Sequence, residues 1–79
     1  MNIDLYLYAS LTKYLPADAT ARHVTVSVPA GATPGQLAQQ FGVPEEEVKL
    51  VFVNGVRRDL DAALSDGDRV GLFPPVGGG

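Results

Sequence analysis

The chain has 79 residues, a net charge of −3 and no cysteine. That length allows one domain with one compact core and excludes a deep cavity walled on all sides. The acidic balance disfavours a phosphate backbone as partner, and the missing thiols exclude disulfides, thiolate nucleophiles and thiolate metal sites. Hydrophobic residues make up 46% of the chain and charged residues 19%, a globular composition. No apolar run approaches the roughly 20 residues of a membrane span, so no membrane partner is expected. Met1-Asn2-Ile3-Asp4 lacks the basic start of a signal peptide, and the cytoplasm is the expected location.

Ile3, Leu5 and Leu7 alternate with Asp4, Tyr6 and Tyr8, which predicts a first strand with an aliphatic inner face. Ser10 is placed to cap a short helical turn carrying Leu11, Tyr14 and Leu15, stopped by Pro16. Residues 17–22 are small and polar and form a loop. Val24, Val26 and Val28 alternate with His23, Thr25 and Ser27, a second strand hairpin-paired to the first. Pro29-Ala30-Gly31-Ala32 breaks it.

Thr33-Pro34-Gly35-Gln36 opens a helix: Thr33 as N-cap, Pro34 at the first position, Gln36 completing a capping box. Leu37, Ala38 and Phe41 form its inward stripe, and Gly42 ends it. Pro44 with Glu45, Glu46 and Glu47 predicts a second short helical turn. Leu50 to Val53 is a third strand, turned by Asn54-Gly55 into a short return over Val56 to Arg58. Residues 59–64 are irregular or briefly helical, and Ser65-Asp66-Gly67-Asp68 is a tight turn. Arg69 to Phe73 is the last strand, with Val70 and Leu72 inward, ended by Pro74-Pro75. A hairpin, a helix and further strands imply an α+β chain, one main helix on one face of a mixed sheet. That is the β-grasp, or ubiquitin-like, arrangement, with the domain over 1–73 and an extended functional tail over 74–79.

Proline restrains the backbone at and before its own position, so Phe73-Pro74-Pro75 forms a stiff stalk ahead of Val76 and Gly77-Gly78-Gly79. Two readings of this tail stand from the residues alone. It is a frayed terminus, or it threads a narrow channel on another protein, where glycines let the backbone approach closely. A terminal carboxylate is already an anion and needs activation by ATP before a nucleophile can attack it. The chain carries no Walker loop and no dinucleotide fingerprint, and Gly31 to Gly35 matches neither spacing, so activation falls to a partner.

The strand phases put Tyr6, Tyr8, Phe52 and Phe73 on the outer side of the sheet, either as a docking patch or as ordinary strand aromatics. Arg57-Arg58 reads as a solvated edge that can add polar rim contacts. His23 reads as a strand surface residue rather than a ligand or base. Asp66 and Asp68 read as turn residues rather than calcium ligands, which would need more oxygens. No metal site and no nucleophile–base–orienter set is expected.

Leu64-Ser65-Asp66-Gly67-Asp68-Arg69-Val70, then Phe73-Pro74-Pro75-Val76 and Gly78-Gly79, resembles the C-terminal signature of the MoaD/ThiS family of sulfur carriers. Leu5 to Leu11 is similar to the start of MoaD-type chains, and Val53-Asn54-Gly55 also resembles that family. The likeness covers nearly the whole chain. It implies a carrier rather than an enzyme, with no bound cofactor. An E1-like adenylating enzyme of MoeB/ThiF type would activate Gly79 with ATP. A sulfur donor would then convert it to a C-terminal thiocarboxylate. As the small subunit of molybdopterin synthase, the chain would insert its tail into a MoaE-type large subunit and deliver sulfur for molybdenum cofactor biosynthesis. On this resemblance Gly79 carries the sulfur, Gly77 and Gly78 give reach, and Pro74 and Pro75 hold the tail away from the body. The double proline favours the MoaD branch over the ThiS branch of thiamine biosynthesis. Gly77 departs from the family, whose members often have another small residue there. A ubiquitin-like protein modifier uses the same activated glycine and remains an alternative, as does a passive β-grasp interaction module.

Overall fold

In the computed structural model, residues 1–75 are described. Five strands form one sheet: β1 (Asn2–Leu7), β2 (His23–Ser27), β3 (Leu50–Val53), β4 (Val56–Arg58) and β5 (Arg69–Phe73). Their spatial order is β2-β1-β5-β3-β4. The central pair, β1 and β5, is parallel, and the other pairs are antiparallel. The helix α1 (Pro34–Gln40) packs Leu37 and Ala38 into the core on one side. This is the β-grasp architecture.

Alternation decides which face meets the helix. Ile3, Leu5 and Leu7 of β1 and Val70 and Leu72 of β5 are fully buried, with Val26, Val51 and Val53 beside them. Each fully buried aliphatic side chain stabilises the fold by about 1.5–3 kcal/mol. Among the described residues, no polar or charged one is buried. The helix starts where its capping box forms: Thr33 Oγ1 accepts from the Gln36 backbone N–H, and Gln36 Oε1 accepts from the Thr33 N–H. Gly42, at φ 75°, supplies the left-handed residue after the C-cap.

One local expectation changes. Ser10 caps nothing: the segment Ala9–Tyr14 is a 3₁₀ helix whose N-cap is Tyr8, with no side-chain cap. Its start is shaped by Ala9 in the left-handed region, at φ 52°, and the Thr12 hydroxyl donates to the Ala9 carbonyl. Past the end of β5, Pro74 is buried and Pro75 is exposed. The Phe73 carbonyl accepts a 2.7 Å hydrogen bond from Lys49, which ties this exit to the start of β3.

Candidate functional site: an aromatic trough on the open face of the sheet

The face opposite α1 is built by the other phase of each strand. Tyr6 on β1, Gly71 on β5 and Phe52 on β3 lie side by side in register. Tyr8 follows β1 and Phe73 ends β5. The Tyr8 and Phe73 rings stack at 4.3 Å between centroids with 6° between planes. Phe52 meets Phe73 edge-on at 5.6 Å. Tyr6 lies 6.3 Å from Tyr8, and on its other side stacks on His23 at 4.8 Å. Aromatic pairs of these geometries contribute about 0.5–1.5 kcal/mol each beyond burial. The four sequence-predicted aromatics are therefore brought together, all half-buried.

Gly71 makes this possible. A Cβ there would stand 3.2 Å from Tyr8 Cε2 and 3.5 Å from Phe73 Cε1. Its missing side chain leaves the rings a floor on which to lie. The result is a shallow trough of ≈ 480 Å³ between Tyr6 and Phe52, with Arg69, Asn54 and Gly55 at one end. Sequence reasoning passed over Gly71, although a glycine inside a strand marks close approach of another group. It also left His23 outside the patch. Only the pairing of His23 with Tyr6 brings that ring into the row.

Hydrogen bonds tie the end of the trough together. Asp68 accepts from Asn54 Nδ2 at 2.9 Å and from the Ser65 N–H at 2.8 Å. Asn54 Oδ1 in turn accepts from the Arg69 N–H. Asp66 accepts from the Asn2 N–H at 2.6 Å. Both acids thus tie turns together. Asp4 accepts from Thr25 Oγ1 at 2.6 Å and lies 3.7 Å from His23 Nε2. Among the described residues, no three His, Asp or Glu side chains converge to hold a metal, and no helix is long and apolar enough to cross a membrane. Gly77, Gly78 and Gly79 lie outside the described residues, while Pro74 and Pro75 follow directly on Phe73 at the edge of the aromatic row. What the face can do by itself is bind: it offers a concave apolar floor with polar groups at one end.

The family model of the Mut7-C ubiquitin family matches residues 1–77. The chain belongs to that family. Small archaeal modifier protein 1 from Haloferax volcanii is similar at 29% identity, over 95% of this chain and 98% of that one, with a TM-score of 0.70. A putative molybdopterin converting factor subunit 1 from Pyrococcus furiosus is 25% identical over 95% of this chain and 98% of its own, with a TM-score of 0.68. These likenesses bear out the MoaD-like resemblance. The complex of molybdopterin-converting factor subunits 1 and 2 from Helicobacter pylori matches at 20% identity over the full length of both chains, TM-score 0.62, and shows the shared fold. No curated protein matches the chain.

Proposed function

We propose that this protein is a ubiquitin-like sulfur carrier, itself without catalytic machinery, that works through its terminal Gly79. The observation that carries the reading is the placement of the aromatic trough. Phe73 closes the row of rings, and Pro74-Pro75-Val76 and then the three glycines follow it in sequence. A partner seated on the open face therefore holds the chain within a few residues of the group to be activated. Five residues follow the buried Pro74, and a fully extended chain of that length spans at most roughly 17 Å.

The chemistry falls to an E1-like partner. A carboxylate oxygen of Gly79 attacks the α-phosphorus of Mg·ATP and pyrophosphate leaves. Hydrosulfide from a sulfur donor then attacks the acyl carbon and AMP leaves, so one oxygen has been exchanged for sulfur. Glycine offers that attack little obstruction. The finer reading places the carrier as the small subunit of molybdopterin synthase. The relative from Pyrococcus furiosus and the two-subunit complex from Helicobacter pylori support it, since the first is named as subunit 1 and the second pairs subunit 1 with subunit 2.

A second reading is a protein modifier, in which a lysine amine attacks the same acyl-adenylate. Its support is the 29% identity to small archaeal modifier protein 1. One experiment separates the two. The full chain is incubated with ATP, Mg²⁺, a matched E1-like enzyme and sulfide, and its intact mass is measured. The expected result is the gain of one sulfur for one oxygen on Gly79, absent from a chain lacking Gly78-Gly79 that melts at the same temperature. No gain with an enzyme shown to form the adenylate, but conjugates to lysine, replaces the carrier reading with the modifier one.

A further inference from the structure

The outer face is not only aromatic; it also carries two arginines. The row Tyr6–Gly71–Phe52 continues across β4 to Arg57, which pairs with Phe52. Arg69 lines the trough two residues before Gly71 on β5. Both arginines are exposed, and neither makes a side-chain hydrogen bond or ion pair among the described residues. The nearby carboxylates are differently placed. Asp4 stands opposite Arg69 in register but accepts from Thr25 and lies beside His23, Asp66 accepts from the Asn2 N–H, and Asp68 accepts from Asn54 and Ser65. In a chain of net charge −3, this face presents two uncommitted cations beside an apolar floor.

We infer that the face receives an acidic segment of a partner protein, seating one apolar side chain over Gly71 between Tyr6 and Phe52 and setting carboxylates on Arg57 and Arg69. The inference rests on the reading of this face as the carrier's docking surface and adds the chemistry of the partner. The spacing suits one short segment that bends at its anchor. Arg57 stands two strands from Gly71, about 9–10 Å, and Arg69 two residues along β5, about 7 Å. Arg57 lies across the strands and Arg69 along one, so a segment bent at its anchoring side chain sets one flanking residue toward each arginine. Guanidinium groups are suited to carboxylates because their paired N–H groups match the two oxygens. A single-stranded nucleic acid would also stack on aromatics, but it needs a continuous basic groove along its backbone, and an acidic chain with two arginines on this face does not supply one.

The test is a titration of the ¹⁵N-labelled full chain, followed by amide chemical shifts. The probes are a capped heptapeptide with one central leucine among aspartates and glutamates, and the same peptide with every acid replaced by lysine. The acidic peptide is expected to shift Tyr6, Tyr8, Phe52, Gly71 and Phe73, and to bind about tenfold more tightly than the lysine peptide. Arg57→Gln/Arg69→Gln should abolish that preference, and Arg57→Glu/Arg69→Glu should reverse it, with circular dichroism unchanged. Equal affinity for the two peptides would overturn the inference. So would no binding of the acidic peptide at millimolar concentration, tighter binding of oligothymidylate, or self-association that shifts the same amides. The sulfur-exchange assay reads separately. Sulfur gain without acidic preference removes this inference alone; acidic preference without sulfur gain removes the carrier reading alone.

Discussion

Ala21 and Arg22 stand at φ 52° and 65°, between the bridged residues Thr20 and His23. An L-residue in that region carries about 1–2 kcal/mol of steric cost. The same two-residue geometry is met without strain at Asn54-Gly55, at φ 53° and 83°. Arg22→Gly is therefore expected to stabilise the domain by about 1 kcal/mol and raise its melting midpoint by roughly 4 °C. Thermal denaturation reads this directly, and a lower midpoint would show that Arg22 holds the turn in another way. Tyr14 carries a different signature. Burial first, and then its 2.9 Å hydrogen bond to Glu47 Oε1, raise its phenol above the ordinary value of 10.0. A raised folded-state value means a contribution that is whole below the unfolded value and lost as pH climbs through the folded one. The stability difference between the native chain and Tyr14→Phe should thus shrink above about pH 10 and hold steady below it. Denaturant midpoints of the two proteins across that range check the sign; a gap that widens with pH would contradict it.

Elements are placed by what joins them. The hairpin β3–β4 and the turn at Ser65–Asp68 are far apart in sequence, yet Asn54 and Asp68 lock them together and set the entry of β5. The Asp68 backbone adds to this, since its carbonyl accepts from the Asp4 N–H at 3.0 Å. Asp68→Ala removes two side-chain acceptor bonds at an exposed site and should cost about 1–2 kcal/mol. The urea midpoint should fall with an unchanged slope, and amide exchange should quicken at Asn54 and Arg69 before the core. Equal quickening throughout would mean that the turn and the core open together. The capping box of α1 is a contrasting case. Thr33 and Gln36 lie three residues apart, so their reciprocal bonds are local and were legible before any fold was known. The Ser10 cap was not, because the left-handed Ala9 starts that segment two residues earlier, at Tyr8.

At the scale of the molecule, the two faces of the sheet divide the labour. One buries Ile3, Leu5, Leu7, Val70 and Leu72 among the core that α1 closes; the other keeps its rings half-exposed. The strands, their inward and outward phases, the helix and its cap, and both Asx-containing turns were determined by the sequence alone. Each depends on periodicity or on residues no more than a few positions apart. The outward set Tyr6, Tyr8, Phe52 and Phe73 was legible for the same reason. The sheet order was not local in this sense. That β5 lies between β1 and β3, parallel to the first and antiparallel to the second, depends on pairings across more than 60 residues for Leu5 and Val70. That order decided that Gly71 floors a trough and that Arg57 and Arg69 border one apolar surface, while the register of the β1–β2 pair set His23 beside Tyr6. A strand's own pattern says which side each residue takes, but only register between strands says what stands next to it.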